Sequence, residues 1–281
     1  MSYQLPEFQY KISLGQNFIF DAQLLHHLVD QTALDQNDTV LEIGAGRGDL
    51  TEVLADRCKQ VVTMEIDPRL EPVLSSRLVS RANVRVIMED VMKADLVELM
   101  EEYGRFHVVA NLPYYLTTPI LNLLFHLVLP IASINVMVQQ EAAQRVLAQA
   151  GTSEYGPLAV LAAYKGSPRE TVLVPAAMFT PPPKVDSVFL VIPLHEVPPV
   201  NVSNEPLFYQ VVSAAFVMRR KTLANNLMRA FSLQRDQALS CIQSAGLPAL
   251  IRGERLTLPE FASLSNQIQG FLNNQQKEIN S

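Results

Sequence analysis

Four short apolar runs in the first half of the chain each end in a residue suited to holding a ligand, and that repeated arrangement allows few folds. Thr39-Val40-Leu41-Glu42-Ile43 runs into Gly44, and a second strand, Val61-Val62-Thr63-Met64-Glu65-Ile66-Asp67, carries Glu65 and ends in a carboxylate. Val84-Arg85-Val86-Ile87-Met88 ends at Glu89-Asp90, and Val108-Val109-Ala110 at Asn111. Apolar strands alternating with helical stretches predict a parallel sheet. Open parallel sheets bind ligands at the carboxyl ends of their strands. Gly44, Glu65, Asp90 and Asn111 should therefore open on one rim. Each alone reads more readily as a turn former or helix cap; four in successive units are harder to dismiss.

Gly44-Ala45-Gly46-Arg47-Gly48-Asp49 joins the first of these strands to a helical run, and glycines there let a ligand approach the backbone closely. Asp49 stands where a dinucleotide fingerprint would have its third glycine, so that motif is matched imperfectly. Glu65 and Asp67 follow at about the twenty-residue spacing of an acid that grips ribose hydroxyls. At Asn111-Leu112-Pro113-Tyr114-Tyr115 the amide oxygen of Asn111 can accept from an exocyclic amino group. Pro113 fixes its own φ, leaving the Leu112 carbonyl as a second acceptor, and Tyr114 offers a flat face to a base. The plain alternative is a strand, a proline turn and core tyrosines.

Asp21 should cap a helix bearing Leu24, Leu25, Leu28 and Val29, preceded by Gly15-Gln16-Asn17-Phe18, either a simple turn or two amides offered to a polar ligand. Phe179-Thr180-Pro181-Pro182-Pro183-Lys184-Val185-Asp186-Ser187 is a stiff extended loop, a connector or a wall that holds Phe179 against the crevice. Residues 195–205, with Pro198 and Pro199, form the expected linker, followed by a helical pattern. Thr257 and Glu260 have capping-box spacing.

The net charge of −6 argues against a nucleic-acid partner only when taken whole. Residues 1–204 hold 14 Lys/Arg against 23 Asp/Glu, whereas residues 205–281 hold 8 against 5. A basic face on the C-terminal part is thus permitted, and Arg219-Arg220-Lys221 is its candidate, against the plain reading of a solvated patch. Two distant cysteines, Cys58 and Cys241, and the lack of a long apolar span or an N-terminal apolar region predict a soluble, cytoplasmic protein without a metal site or membrane contact.

In combination these segments resemble the small-subunit ribosomal RNA adenine dimethyltransferases, the family associated with kasugamycin sensitivity. The resemblance runs through Leu14-Gly15-Gln16-Asn17-Phe18, Glu42-Ile43-Gly44-Ala45-Gly46, Glu65-Ile66-Asp67, Glu89-Asp90 and Asn111-Leu112-Pro113-Tyr114. It continues through the proline segment from Phe179 to Ser187 and Arg219-Arg220-Lys221-Thr222-Leu223-Ala224-Asn225-Asn226-Leu227. It implies an α/β fold, with a Rossmann-like methyltransferase domain over residues 1–198 and a small all-helical RNA-binding domain over residues 199–281. It implies S-adenosylmethionine as methyl donor, held by Gln16, Asn17, Ile19, Gly44, Gly46, Glu65, Ile66, Asp90, Val91 and Asn111. Glu65 would take the ribose and Asp90 the donor's adenine amino group. Asn111, Leu112, Pro113, Tyr114 and Phe179 would form the catalytic set, with Arg219, Arg220 and Lys221 on RNA.

The implied reaction is dimethylation of two adjacent adenosines in a 3′-terminal hairpin loop of small-subunit (16S) rRNA. A monomeric protein would act on the RNA in an assembling small subunit. Gln140 stands where many members carry lysine, and Ala45 where many carry proline. The rivals are the related large-subunit enzyme of macrolide resistance and a non-catalytic assembly factor on the same fold. A dinucleotide oxidoreductase is disfavoured by the unmatched third glycine.

Overall fold

The computed structural model describes Lys11 and residues 15–279, with side chains through residue 275. Tyr10 and residues 12–14, part of the segment expected before the first helix, lie outside the described residues. The chain divides into two compact units: residues up to Ala143 with Pro168–Leu194, and Gln144–Ser167 with the residues from His195 on.

In the first unit β1 (Phe18–Ile19) leads into α1 (Ala22–Asp30), where Asp21 accepts from the Leu24 amide at 3.0 Å and caps the helix. Leu25, Leu28 and Val29 are buried, as their helical spacing requires. The chain continues through β2 (Thr39–Ile43), α2 (Asp49–Arg57), β3 (Gln60–Met64), α3 (Glu71–Arg77), β4 (Val84–Ile87) and α4 (Leu96–Met100). Next come β5 (Phe106–Asn111), α5 (Thr117–His126), β6 (Ile131–Gln139) and α6 (Gln140–Leu147), in which the chain leaves this unit. After α7 (Pro157–Lys165) it returns as β7 (Arg169–Val174), β8 (Phe179–Thr180) and β9 (Ser187–Pro193).

The main sheet has the order β4-β3-β2-β5-β6-β9-β7. Strands β4 to β6 pair in parallel, and β9 lies antiparallel between β6 and β7. Leu41 stands between Val62 and Val108, and every residue of β2 is buried, which explains its unbroken apolar reading. From β2 the chain moves to β3 on one side and later fills β5 on the other. That reversal makes the carboxyl ends of β2 and β5 the topological switch point, where a crevice must open. A separate ribbon pairs β1 with β8, Phe18 opposite Thr180 and Ile19 opposite Phe179.

The second unit gathers α7 with α8 (Glu205–Val217), α9 (Leu223–Phe231), α10 (Arg235–Ser244) and α11 (Leu258–Ile279). Helix α7 buries Leu158, Ala159, Val160, Leu161, Ala162 and Tyr164, too much of its circumference for a surface helix. The Tyr164 ring lies 4.7 Å from that of Phe208, and the Tyr155 hydroxyl donates to the Leu256 carbonyl at 2.8 Å. Residues 144–167 therefore pack with the C-terminal helices, a grouping that a division of the chain between 198 and 199 does not contain. The Thr257 amide donates to Glu260 Oε2 at 2.7 Å at the start of α11. Among the described residues no helix is long and apolar enough to cross a membrane.

Candidate active site

The floor of the crevice is the turn after β2. Gly44 and Gly46 take φ values of +86° and +58°, a region that side chains resist. The amides of Gly44 and Ala45 donate to the Met64 carbonyl at 2.9 and 3.0 Å, pinning the turn to β3. A Cβ at Gly44 would stand 3.7 Å from the Asn111 carbonyl oxygen, in the space between the ends of β2 and β5. One at Gly46 would come within 2.8 Å of the Phe18 ring.

Glu65, just past β3, organises this turn electrostatically. Its Oε2 accepts from the Gly46 amide at 2.8 Å, and its Oε1 from the amides of Ile66 and Asp67 at 2.9 and 2.8 Å. Burial raises its pKa, and the three amides oppose that shift. A carboxylate has about four acceptor positions, so one remains for a ligand hydroxyl. Asp67 is fully buried and paired with Arg69, which holds its pKa down at about 2.

The segment before β1 lies along the same crevice. Gln16 Nε2 donates to Asp67 Oδ2 at 2.8 Å, and the Lys11 amide donates to Gln16 Oε1 at 2.9 Å. Asn111 Nδ2 donates to the Asn17 carbonyl at 2.8 Å. A backbone carbonyl can only accept, so this contact fixes the amide's orientation and leaves Asn111 Oδ1 as an acceptor with no hydrogen bond among the described residues. Asp90 Oδ1 takes the Met92 amide at 3.0 Å, while Oδ2 has only Lys93 Nζ, at 3.8 Å, among the described residues. A half-exposed Ile66 and a buried Val91 give this end apolar surface.

Gln16, Asn17, Gly44, Gly46, Glu65, Ile66, Asp90, Val91, Asn111, Leu112 and Pro113 thus line one crevice. Ile19, Tyr114 and Phe179 do not join them. Ile19 is buried on β1. Phe179, expected against the crevice, is only 2% exposed and packs in the core with Leu28, Val174 and Phe189. Its apolar ring gains more from that core than from water, and the pairing of β8 with β1 holds it there. A base sandwich between Tyr114 and Phe179 is not formed in this conformation. Tyr114 is half-buried, its hydroxyl 2.9 Å from Ser187 Oγ, whereas Tyr115, to which sequence reasoning gave no role, lines the crevice with its ring largely exposed.

Beneath the turn, Glu42 is fully buried. The hydroxyls of Thr51 and Thr63 both donate to its Oε2 at 2.6 Å, and Oε1 has no hydrogen-bond partner among the described residues. Burial pushes its pKa up to about 7, with the two hydroxyls opposing. A raised pKa stabilises the fold fully below the unfolded value of 4.5, and that contribution is lost as pH climbs through about 7. We expect Glu42→Gln to remove roughly 3 kcal/mol of that pH dependence. Urea midpoints of both proteins at pH 5 and pH 8 check this, and an unchanged difference between the two pH values would assign the effect to another group.

In the second unit, Asn226 closes the end of α8 and is almost wholly buried. Its Nδ2 donates to the Ala215 carbonyl at 3.0 Å and its Oδ1 accepts from the Met218 amide at 3.1 Å. This turn presents Arg219, Arg220 and Lys221 at the surface. Arg219 Nη2 donates to the carbonyls of Ser153 and Tyr155 at 2.8 and 2.7 Å, so it already has a structural task. Arg220 and Lys221 are exposed, and their side chains have no hydrogen bond or ion pair among the described residues.

The model of the family described as ribosomal RNA adenine dimethylase matches residues 7–257. This chain belongs to that family. A protein of Oceanobacillus iheyensis named ribosomal RNA small subunit methyltransferase A is 41% identical over 265 residues, which span 92% of this chain and 90% of that one. The protein of the same name from Shouchella clausii is 43% identical over 271 residues, 94% of this chain and 92% of its own. A crystal structure of a dimethyladenosine transferase from Plasmodium falciparum superposes with a TM-score of 0.75 at 24% identity, covering 90% of this chain and 98% of that one. That likeness is one of fold, and it makes the main sheet Rossmann-like with a helical C-terminal region.

Membership makes the chain an S-adenosylmethionine-dependent methyltransferase. The crevice residues fit that donor. Gly44 leaves room for a close backbone approach, Glu65 keeps one acceptor position, and Asp90 Oδ2 takes no hydrogen bond among the described residues, beside an exposed Ile66.

Proposed function

We propose that the protein dimethylates the exocyclic amino groups of two adjacent adenosines in the 3′-terminal hairpin loop of small-subunit rRNA, within an assembling small subunit. The observation that carries this reading is the Asn111 amide, held by the Asn17 carbonyl so that its oxygen remains to accept from an amino group. The relatives named small subunit methyltransferase A support the choice of RNA.

In this reading Glu65 takes a ribose hydroxyl of the donor and Asp90 the amino group of its adenine, with Ile66 and Val91 on the ring. When bound, S-adenosylmethionine supplies a methyl group on a sulfonium, an electrophile that needs no activation by the protein. The protein's task is the nucleophile. An adenine amino nitrogen shares its lone pair with the ring and reacts poorly. Hydrogen bonds from its N–H groups to Asn111 Oδ1 and the Leu112 carbonyl favour a pyramidal nitrogen with a localised pair. Holding that nitrogen in line contributes much of the remaining acceleration. The alkylated nitrogen is acidic enough to lose its proton to water. The base must be splayed out of folded RNA to reach this pocket, and Tyr114 offers the stacking face. A second ring from Phe179 would require the β1–β8 ribbon to open.

Methyl incorporation into isolated small-subunit particles tests the reading; incorporation confined to large-subunit RNA would overturn it. The RNA-binding role falls to Arg220 and Lys221 rather than to Arg219. Replacing both with Ala should weaken particle binding and flatten its salt dependence by up to about 0.7–0.9 per lost phosphate contact. Donor affinity should stay unchanged. A salt slope identical to wild type would return these two side chains to ordinary solvated surface.

A further inference from the structure

Ser187 closes the proline segment, and its side chain is fully buried at the start of β9. Its hydroxyl lies 2.9 Å from that of Tyr114, across 73 positions of sequence. The residue beside it is anchored from two directions. Asp186 Oδ1 accepts from the Ala176 amide at 2.9 Å, and the Asp186 carbonyl accepts from the Gln140 amide at 3.3 Å. Ser187 itself sits in the sheet opposite Gln139 on β6 and Val174 on β7. The serine is therefore a fixed point. Tyr114 lies on a single turn after Pro113 and is half-buried, so its ring can swing about Cα–Cβ unless something holds its far end.

We propose that Ser187 is a positioning residue for methyl transfer, fixing where the Tyr114 ring lies so that it can stack on the target adenine. The inference rests on the reading of Tyr114 as the stacking face. One hydrogen bond at the tip of the ring removes its freedom to swing about Cα–Cβ, and stacking depends on where the ring lies. The same bond ties the segment after Phe179 to the motif that carries Asn111. Particle binding is dominated by contacts to the RNA backbone, so the tether should act on turnover and not on affinity.

The experiment is a double-mutant cycle on Ser187→Ala and Tyr114→Phe, each of which removes the same hydrogen bond and retains the ring. We expect each variant to lower kcat for small-subunit particles by roughly 10–100-fold, the scale of a small misplacement of reacting groups, with KM nearly unchanged. The double variant should be no slower than the slower single variant. Ser187→Thr, which restores a hydroxyl, should recover part of the rate. Thermal unfolding and donor affinity are measured alongside, and a correctly folded Ser187→Ala that binds donor normally gives the deciding rate. Wild-type kcat in that variant, or additive losses in the cycle, would overturn the proposal. Failure of the wild-type protein to methylate particles at all would instead sink the proposed substrate, and full activity in Tyr114→Ala the stacking reading on which the proposal rests.

Discussion

Asn111→Ala should reduce methyl transfer by roughly 100–1,000-fold, the scale of removing one preorganised hydrogen-bond partner from a transition state. The substitution takes away the acceptor oxygen offered to the amino group. It also releases the Asn17 carbonyl that Nδ2 now engages at 2.8 Å, loosening the segment along the crevice. Donor affinity should fall by no more than about tenfold, the scale of one hydrogen bond. Asn111→Asp sharpens the test. An ionised carboxylate keeps acceptor oxygens but cannot donate to the Asn17 carbonyl, so the two oxygens repel and the orientation is lost. Asp at this position should therefore be about as slow as Ala. Single-turnover rates at saturating donor, with calorimetric donor binding, separate the two effects. Substantial activity in Asn111→Asp would mean that the amide's donor side has no part in positioning the acceptor.

Glu65→Ala carries the second large effect, on both donor binding and the fold around the glycine turn. The carboxylate satisfies the amides of Gly46, Ile66 and Asp67, and Ala would leave three backbone donors without their partner. We expect stability to drop by about 3 kcal/mol or more, since each buried unpaired group costs about 1–3 kcal/mol. Donor affinity should weaken by roughly 1–3 kcal/mol from loss of the ribose contact alone. Glu65→Gln should fall between, because its oxygen can still take two amides while its NH2 group opposes whichever donor remains. Chemical denaturation and calorimetry on the same preparations resolve the two losses. Unchanged donor affinity in a folded Glu65→Gln would remove Glu65 from the ribose.

The strands, the crevice rim and several caps were legible because each depends on neighbouring residues. Thr39-Val40-Leu41-Glu42-Ile43 is buried on both faces and reads as such, Asp21 caps its helix, and Glu260 accepts from the Thr257 amide as their spacing indicates. The carboxyl-end rule then gathered Gly44, Glu65, Asp90 and Asn111 without any tertiary information. What escaped depends on partners distant in sequence. The pairing of Phe18 and Ile19 with β8 involves strands too short to show a period, and it carries Phe179 into the core. The grouping of α7 with the C-terminal helices arises from packing around Tyr164 and Tyr155, which no linear division reveals. Arg219 reads as one of three equivalent cations until its guanidinium is seen on two carbonyls. The orientation of the Asn111 amide, the most consequential detail of the site, comes from a backbone oxygen 94 positions away.

The measurement closest to the central claim is nucleoside mapping by mass spectrometry of both ribosomal RNAs, from cells with the protein and from cells lacking it. Two neighbouring dimethyladenosines in the 3′-terminal hairpin of small-subunit RNA should vanish with the protein and return with the wild-type chain but not with Asn111→Ala. Dimethyladenosine that persists in the small subunit without the protein, or disappears only from the large subunit, would contradict it.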